Sequence, residues 1–120
     1  MAQDPGVVPF RGGVEPQRSQ PDPARILSGA PQIAVCNYYS DPSQQFFAGQ
    51  WAATRGSWRI HYTEHEFCHL LEGRVALTDR TGQRWEFGPG ESFVVPAGFV
   101  GTWEVIEDCR KVYAIFEPAS

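Results

Sequence analysis

The sequence predicts an all-β protein, built as a sandwich or a barrel, and three observations support this prediction. The chain has 120 residues, of which 12 are glycine and 10 are proline, so turns must be frequent and elements short. Short β-prone runs recur about every ten residues. No stretch has the apolar spacing of a helix, and 42% hydrophobic residues are enough for one modest core.

The first part of the chain, residues 1–31, is predicted to be an irregular, proline-rich arm. It carries six of the ten prolines and shows no usable hydrophobic period. Two interpretations stay open: a floppy leader, or an arm that lies across a neighbouring subunit. In the second interpretation the anchors are Val7, Val8, Phe10, Ile26 and Leu27. Residues 32–120 form the predicted single domain.

The first half of this domain is predicted to form three strands separated by turns. The β-prone run 33–39 ends at an Asp-Pro-Ser turn. The second run, 46–54, contains Gly49, which is expected to break it. In the third run, 57–63, apolar and polar residues alternate as in a half-buried strand.

The second half is predicted to form further strands linked by glycine and proline turns. Gly73 is expected to redirect the chain after a run that starts at Glu66, and Glu107-Asp108 is expected to be a turn. An Asp-Arg-Thr-Gly sequence indicates a hairpin. The predicted strands are 66–71, 74–78, 83–87, 92–95, 102–106 and 110–116.

Charge and cysteine content exclude several classes of protein. The net charge is −4, and the only adjacent basic pair is Arg110-Lys111, so binding to nucleic acid or to an anionic membrane surface is not expected. The three cysteines, Cys36, Cys68 and Cys109, form no CxxC pair, which argues against a disulfide scaffold or a structural zinc site. Free thiols, with no apolar targeting or membrane-spanning segment, predict a cytoplasmic protein.

Two spaced motifs point to a known family. Glu66-x6-Gly73 and Gly90-x5-Pro96-x-Gly98 have the shapes of the end of the first cupin motif and of the second cupin motif. The runs YTEHEFCHLLEG, FGPGESFVVPAGFVGTWEV and RKVYAIFE resemble small single-domain cupins grouped with the cupin domains of ureidoglycine aminohydrolase. The resemblance covers residues 33–116. It implies a double-stranded β-helix, or jelly-roll barrel, with a pocket inside one end, and frequently a homodimer.

The sequence departs from this family at the metal ligands. Metal-binding cupins supply two histidines and a glutamate from the first motif and one histidine from the second. The two histidine positions of the first motif fall on Ile60 and Tyr62, or on Arg59 and His61 if the loop is one residue longer. The histidine position of the second motif falls on Gly101. The positions that match the aminohydrolase's own first-motif ligands are Ile60, Tyr62 and Glu66, and none of the three keeps the aminohydrolase's residue. The aminohydrolase activity is therefore not implied. Gly101 is expected to widen the mouth of the pocket.

The three histidines, His61, His65 and His69, are therefore expected to lie in solvent or at an interface. On a strand, Glu66, Cys68 and Leu70 share one face and His69 takes the other. No cofactor is expected. The alternative is a divalent metal (Mn, Fe, Ni or Zn), for which the ligands would be His61, Glu64, His65 and Glu66.

The two carboxylates Glu64 and Glu66 are the strongest candidates for chemistry. If both face the barrel interior, burial and mutual repulsion raise the pKa of at least one. The pair then shares a proton, binds a metal, or pairs with a cation such as Lys111 or Arg59. In the alternative, Glu64 lies in water at the mouth and Glu66 is a structural carboxylate.

The remaining candidates would form the wall of the pocket. Cys68 is interpreted as a small buried hydrophobe rather than a nucleophile. Lys111 is either a rim residue or the counter-charge of an interior glutamate. The aromatic candidates, which could equally be ordinary barrel core, are Trp58, Tyr62, Trp103 and Tyr113.

Three functional hypotheses follow. The first is a small-molecule pocket in the barrel, with Glu66 as polar anchor and metal-independent binding of a small polar metabolite. The second is a hydrolase, lyase or isomerase acting on a small nitrogenous metabolite, with Glu66 or Glu64 as acid or base. The third is a structural oligomer component whose barrel is filled by its own side chains.

Overall fold

The computed structural model describes residues 4–119, and its regular structure is almost all β. All strands pair antiparallel, and the described chain has no α-helix, only a 3-10 turn at Pro23–Arg25. This confirms the all-β prediction. The strands are β1 (Gln17–Ser19), β2 (Ile26–Gly29), β3 (Ile33–Ser40), β4 (Phe46–Ala53), β5 (Gly56–His61), β6 (His65–Asp79), β7 (Arg84–Phe87), β8 (Ser92–Val95) and β9 (Val100–Phe116).

The fold is a jelly-roll barrel organised around its two longest strands, β6 and β9, which pair with each other along most of their length. On its other edge, β9 pairs first with β5 and then with β4. Likewise β6 pairs first with β8 and then with β7. Because both central strands exchange partners half-way, the sheet curls on itself and encloses an interior.

Two predicted breaks are wrong, because the chain bends inside continuous strands. The expected turn at Glu107-Asp108 lies within β9, and Gly73 lies within β6. The ladder between the two strands shifts register between Leu70 and Val75. Gly73 has φ +85°, and a Cβ there would meet the Asp108 carbonyl oxygen, so only glycine fits this bend.

The core lies between the two halves of the curled sheet. Its largest fully buried side chains include Trp103 and Leu70, and a cluster of apolar residues surrounds them. The buried members of that cluster are Ala53, Trp58, Leu70, Val75, Leu77, Val95, Trp103, Val105 and Cys109. Burial of this surface supplies the main favourable term in folding.

The prediction of irregular structure over residues 1–31 is wrong for 17–29. There, β1 pairs with the edge strand β3, and β2 pairs with β5. The Arg59 guanidinium donates to the Ala24 carbonyl at 2.7 Å and fastens the 3-10 turn. Edge pairing uses backbone groups, which need no hydrophobic period in the sequence.

The proposed arm anchors divide into two kinds. Phe10 stacks on Tyr38 at 4.8 Å, and Ile26 packs against the core cluster, so both are held by their own barrel. Val7 and Leu27 are 94% and 54% exposed. An arm lying across a neighbouring subunit stays a prediction, as does the division at residue 31. No described segment is a helix with the length and hydrophobicity needed to span a membrane.

Arg59→Ala is expected to loosen the arm. The variant loses a solvent-exposed hydrogen bond from a charged donor, which lies at the low end of about 1.5–3 kcal/mol, so local opening should become about tenfold more frequent. Limited trypsin digestion, with cleavage after the exposed Arg18 and Arg25 followed by mass spectrometry, measures this. Arg55→Ala, at the neighbouring exposed turn, is the control. Equal cleavage rates in the two variants would contradict the assigned role of Arg59.

Candidate functional site

Strand alternation brings the candidate residues of β6 and β9 to the barrel interior. Along β6, Glu66, Cys68 and Leu70 are buried, whereas His65 and Phe67 are exposed. The alternation predicted from the sequence is therefore present. The register places Cys68 opposite Tyr113 and Leu70 opposite Lys111, so both strands contribute to one inner surface.

The centre of this surface is a buried ion pair. Lys111 Nζ lies 3.1 Å from Glu66 Oε2 and 3.4 Å from Cys68 Sγ. Only 2% of Lys111 and 6% of Glu66 are exposed, so the charges interact in a medium that screens them little. The sequence left Lys111 as either a rim residue or the counter-charge of an interior glutamate, and in the structure it is the counter-charge of Glu66.

The ammonium also faces two indole rings. Lys111 Nζ lies 4.5 Å from the ring centre of Trp51 and 4.3 Å from that of Trp103, distances at which cation–π attraction acts. Burial alone would lower the pKa of Lys111, but the Glu66 carboxylate outweighs it and the pKa is raised. Lys111 is therefore held as an ammonium group at neutral pH, paired with Glu66.

Cys68 behaves as the buried hydrophobe that the sequence favoured. It is fully buried, and burial raises the pKa of its thiol to about 12, with Glu66 acting in the same direction against the lowering effect of Lys111. Its sulfur is thus a neutral acceptor for the Lys111 ammonium, and Glu66 is the charge that balances Lys111.

A cavity of about 460 Å³ opens beside the ion pair. All the predicted wall residues except Cys68 line it, together with both carboxylates. The lining residues are Ile33, Val35, Asn37, Phe47, Trp51, Trp58, Ile60, Tyr62, Glu64, Glu66, Trp103, Lys111, Tyr113 and Ile115. The volume falls within the range of small-molecule sites, about 300–1,000 Å³.

Sequence reasoning missed Trp51 and Asn37 in this wall. Trp51 packs edge-on against Trp103 with ring centres 5.5 Å apart. Asn37 Oδ1 accepts a 2.7 Å hydrogen bond from the Tyr113 hydroxyl. The Asn37–Tyr113 hydrogen bond depends on Gly49, where a Cβ would meet the Cys36 carbonyl oxygen and the Tyr113 hydroxyl. Gly49 therefore does not break β4; the alternation of Phe47, Gly49 and Trp51 was the signal that could have revealed the wall.

Tyr62 and Glu64 stand in the loop between β5 and β6, on the cavity wall. Two backbone hydrogen bonds hold Tyr62 in place. Its N–H donates to the Phe99 carbonyl, and its carbonyl accepts from the Gly98 N–H. Burial and the Glu66 carboxylate raise its pKa far above the usual value, so the phenol stays protonated. Partial burial raises the pKa of Glu64, and the carboxylates of Glu117 and Glu66 raise it further.

The histidines lie away from this centre. His61 is exposed on β5, and His65 Nδ1 accepts from the Ala97 N–H at 3.1 Å. His69 Nδ1 shares a hydrogen bond of 2.7 Å with the Ser92 hydroxyl. Within residues 4–119, no three His, Cys, Asp or Glu side chains come together as metal ligands. Of the alternative metal set, only Glu64 and Glu66 line the cavity.

Gly101 stands where metal-binding cupins have the histidine of the second motif. It lies in β9 between Ile60 of β5 and Asp79 of β6. A Cβ at this position would meet the Thr78 carbonyl oxygen and would lie 3.0 Å from Asp79 Cα. The expectation that Gly101 widens the mouth is therefore wrong, because the glycine allows close strand approach and does not line the cavity.

The cysteines should differ sharply in alkylation. Cys36 is only partly buried, whereas burial raises the pKa of Cys68 to about 12 and that of Cys109 to about 11. In a pulse of iodoacetamide at pH 8, native protein should be modified at Cys36 alone, and in denaturant at all three residues. Peptide mass spectrometry measures this. Modification of native Cys68 at the rate of Cys36 would contradict the burial described.

Comparison with known proteins identifies the family. Residues 40–113 match the family model described as the EutQ-like cupin domain. The chain belongs to this cupin family. Among proteins with curated functions, none matches the chain.

Three solved structures illustrate the similarity. A DUF861-family protein of unknown function from Pseudomonas syringae pv. tomato str. DC3000 is 28% identical, with TM-score 0.79, over 90% of this chain and 46% of its own. A DUF861-family protein from Thermotoga maritima is 30% identical, with TM-score 0.52, over 53% of this chain and 73% of its own. The Clostridium difficile EutQ protein, 14% identical with TM-score 0.65, covers 72% of this chain and 64% of its own, and shares the fold. This cupin chain spans less than two thirds of the Pseudomonas and Clostridium proteins.

Proposed function

We propose that this EutQ-like cupin binds a small polar metabolite inside its barrel, without a metal ion. The observation that carries the proposal is the buried Lys111–Glu66 pair on the wall of an aromatic cavity. Taking two charges out of water is expensive, and an apolar pair would fill a purely structural core as well. Fixed charges beside an open cavity are instead suited to orienting a polar ligand.

The cavity also supports this proposal over a barrel filled by its own side chains. The barrel is not filled at this end, because about 460 Å³ that is open to solvent remains beside the ion pair. Lys111 already supplies the cation beside Glu66, so binding in this barrel does not require a metal to neutralise that carboxylate.

A thermal-shift screen of small metabolites against protein purified without a polyhistidine tag tests the proposal. A ligand at about 100 times its dissociation constant should stabilise the fold by about 2.7 kcal/mol, which raises Tm by roughly 10 °C. Val35→Phe, which fills the cavity, should abolish the shift. Arg80→Phe, which adds the same ring at an exposed turn that does not line the cavity, is the control and should keep it. Shifts that survive Val35→Phe would contradict the proposal.

A second candidate is an enzyme of the hydrolase, lyase or isomerase class. The observation that favours it is Glu64, whose pKa is raised while it lines the same cavity, as a general acid or base requires. Glu66 is tied to Lys111 and is better suited to orienting the substrate. Screening hits incubated with the protein and followed by mass spectrometry would reveal turnover. Glu64→Gln should then lose conversion even at ligand concentrations that saturate the variant.

We also propose three further properties that the sequence led us to expect. They are a specific relationship to the ureidoglycine aminohydrolase-type cupin domains, a cytoplasmic location and a homodimer. The homodimer is supported by apolar side chains on the outer face of the sheet, where Phe67, Val94 and Phe116 are 44%, 59% and 47% exposed. Light scattering on the eluting protein would measure its mass, and a monomer at micromolar concentration would contradict the homodimer.

A further inference from the structure

The charges around the cavity leave one carboxylate without a cation. Lys111 and Glu66 neutralise each other at 3.1 Å. Among the described residues that line the cavity, the remaining charged group is Glu64. The Glu117 carboxylate accepts a 2.9 Å hydrogen bond from the hydroxyl of Thr63, the residue before Glu64, and raises the pKa of Glu64, so this side of the cavity is negative.

The aromatic wall suits a positive group. Trp51 and Trp103 already hold the Lys111 ammonium over their faces, and Trp58 and Tyr62 continue the wall to Glu64. Trp58 packs against Trp51 with ring centres 6.2 Å apart. A carboxylate beside aromatic faces is the usual arrangement for binding organic cations.

An independent observation indicates a second polar group on the ligand. Trp103 is 1% exposed and lines the cavity, yet its Nε1–H finds no hydrogen-bond partner in the described chain. A buried donor left unpaired costs about 1–3 kcal/mol, so such groups normally meet an acceptor. Nε1 itself has almost no accessible surface, so an acceptor atom of a ligand would satisfy it once the side chains around it adjust on binding.

We propose that the ligand is a small organic cation that also carries a hydrogen-bond acceptor. Its positive group pairs with Glu64, its body contacts the aromatic wall, and its acceptor meets Trp103 Nε1. The inference rests on the proposed function of the cavity and adds the chemical class of the ligand.

The competing class is an anion. A shallow hollow that shares Tyr62 and Glu64 with the cavity is also lined by Arg25 and Arg59. Arg59 is engaged with the Ala24 carbonyl, and both arginines are exposed to water, which screens their charge. The cavity itself therefore favours a cation.

Three probes of matched shape test the ligand class by titration calorimetry at pH 7. They are 4-(aminomethyl)benzamide, with cation and acceptor; benzylamine, with the cation only; and 4-(hydroxymethyl)benzamide, with the acceptor and no charge. 4-Carboxybenzamide is the anionic counterpart. The first probe should bind about tenfold more tightly than either of the next two, and the anion most weakly.

Two variants assign the contacts. Glu64→Gln should reduce the preference of 4-(aminomethyl)benzamide over 4-(hydroxymethyl)benzamide to about twofold or less. Trp103→Phe should reduce its preference over benzylamine in the same way while keeping an aromatic ring. Circular dichroism establishes that each variant is folded. If Trp103→Phe fails to fold, the Glu64→Gln comparison and the wild-type ranking still decide.

Different failures overturn different statements. If the neutral or anionic probe binds as tightly as 4-(aminomethyl)benzamide, and Val35→Phe abolishes that binding, the cavity is a site but the cation class is wrong. If a preference for the cation survives Glu64→Gln, Glu64 is not its partner. If no probe binds and the metabolite screen gives no hit that Val35→Phe removes, the proposed function and this inference both fail.

Discussion

Lys111→Met is expected to lower the free energy of unfolding by about 3–5 kcal/mol, one of the two largest effects that we predict. The methionine fills similar space, so the loss does not come from a void. It comes from Glu66, which is 6% exposed and would be left buried without a cation. Urea or guanidinium denaturation monitored by tryptophan fluorescence measures the change.

Two comparisons separate this explanation from a general sensitivity of β9. The double variant Lys111→Met with Glu66→Gln removes both charges and should recover most of the loss. Arg110→Met, one residue earlier, breaks the Arg110–Glu72 pair at 3.0 Å, whose side chains are 44% and 63% exposed. That variant should lose less than about 1 kcal/mol, because water screens the pair. A double variant as unstable as Lys111→Met would rule out the unpaired charge as the cause.

The sequence predicted the barrel well because local signals dominate in short strands. Turn residues and alternation located most strands of the domain, and the predicted run 92–95 coincides with β8. The errors at Gly73 and Glu107-Asp108 share one cause. A glycine or an acidic pair indicates a bend, but whether the strand continues through the bend depends on pairing with a distant partner. Here β6 and β9 continue because each has the other as a neighbour.

The site was only partly predictable for a related reason. Alternation along one strand put Glu66, Cys68 and Leu70 on one face, the resemblance to cupins pointed that face inward, and the structure places all three inside. Alternation cannot say which cation a buried carboxylate meets, because that depends on register. The register puts Lys111 opposite Leu70, two alternation steps from Glu66 on the same face, and the long lysine side chain spans that distance. Arg59, the other candidate, lies on β5 and donates to the arm.

Trp103→Ala is the second large effect, with an expected loss of about 3–5 kcal/mol in the free energy of unfolding. Trp103 is 1% exposed, packs edge-on against Trp51 at 5.5 Å and covers the Lys111 ammonium at 4.3 Å. Alanine removes both contacts and leaves a void in the wall. Trp85→Ala is the matched control, because Trp85 is 40% exposed and should cost well under half as much. Chemical denaturation measures both variants.

Trp103→Phe distinguishes the ring from its N–H group. Phenylalanine keeps an aromatic face for Lys111 and Trp51 but removes Nε1–H, which is buried without a partner. Losing packed atoms destabilises the fold, whereas removing an unsatisfied donor stabilises it by about 1–3 kcal/mol. The two terms oppose each other, so Trp103→Phe should cost much less than Trp103→Ala. A cost equal to that of alanine would mean that Nε1 is satisfied in the free protein by bound water. The acceptor assigned to the ligand would then have to displace that water, and its contribution to binding would be correspondingly small.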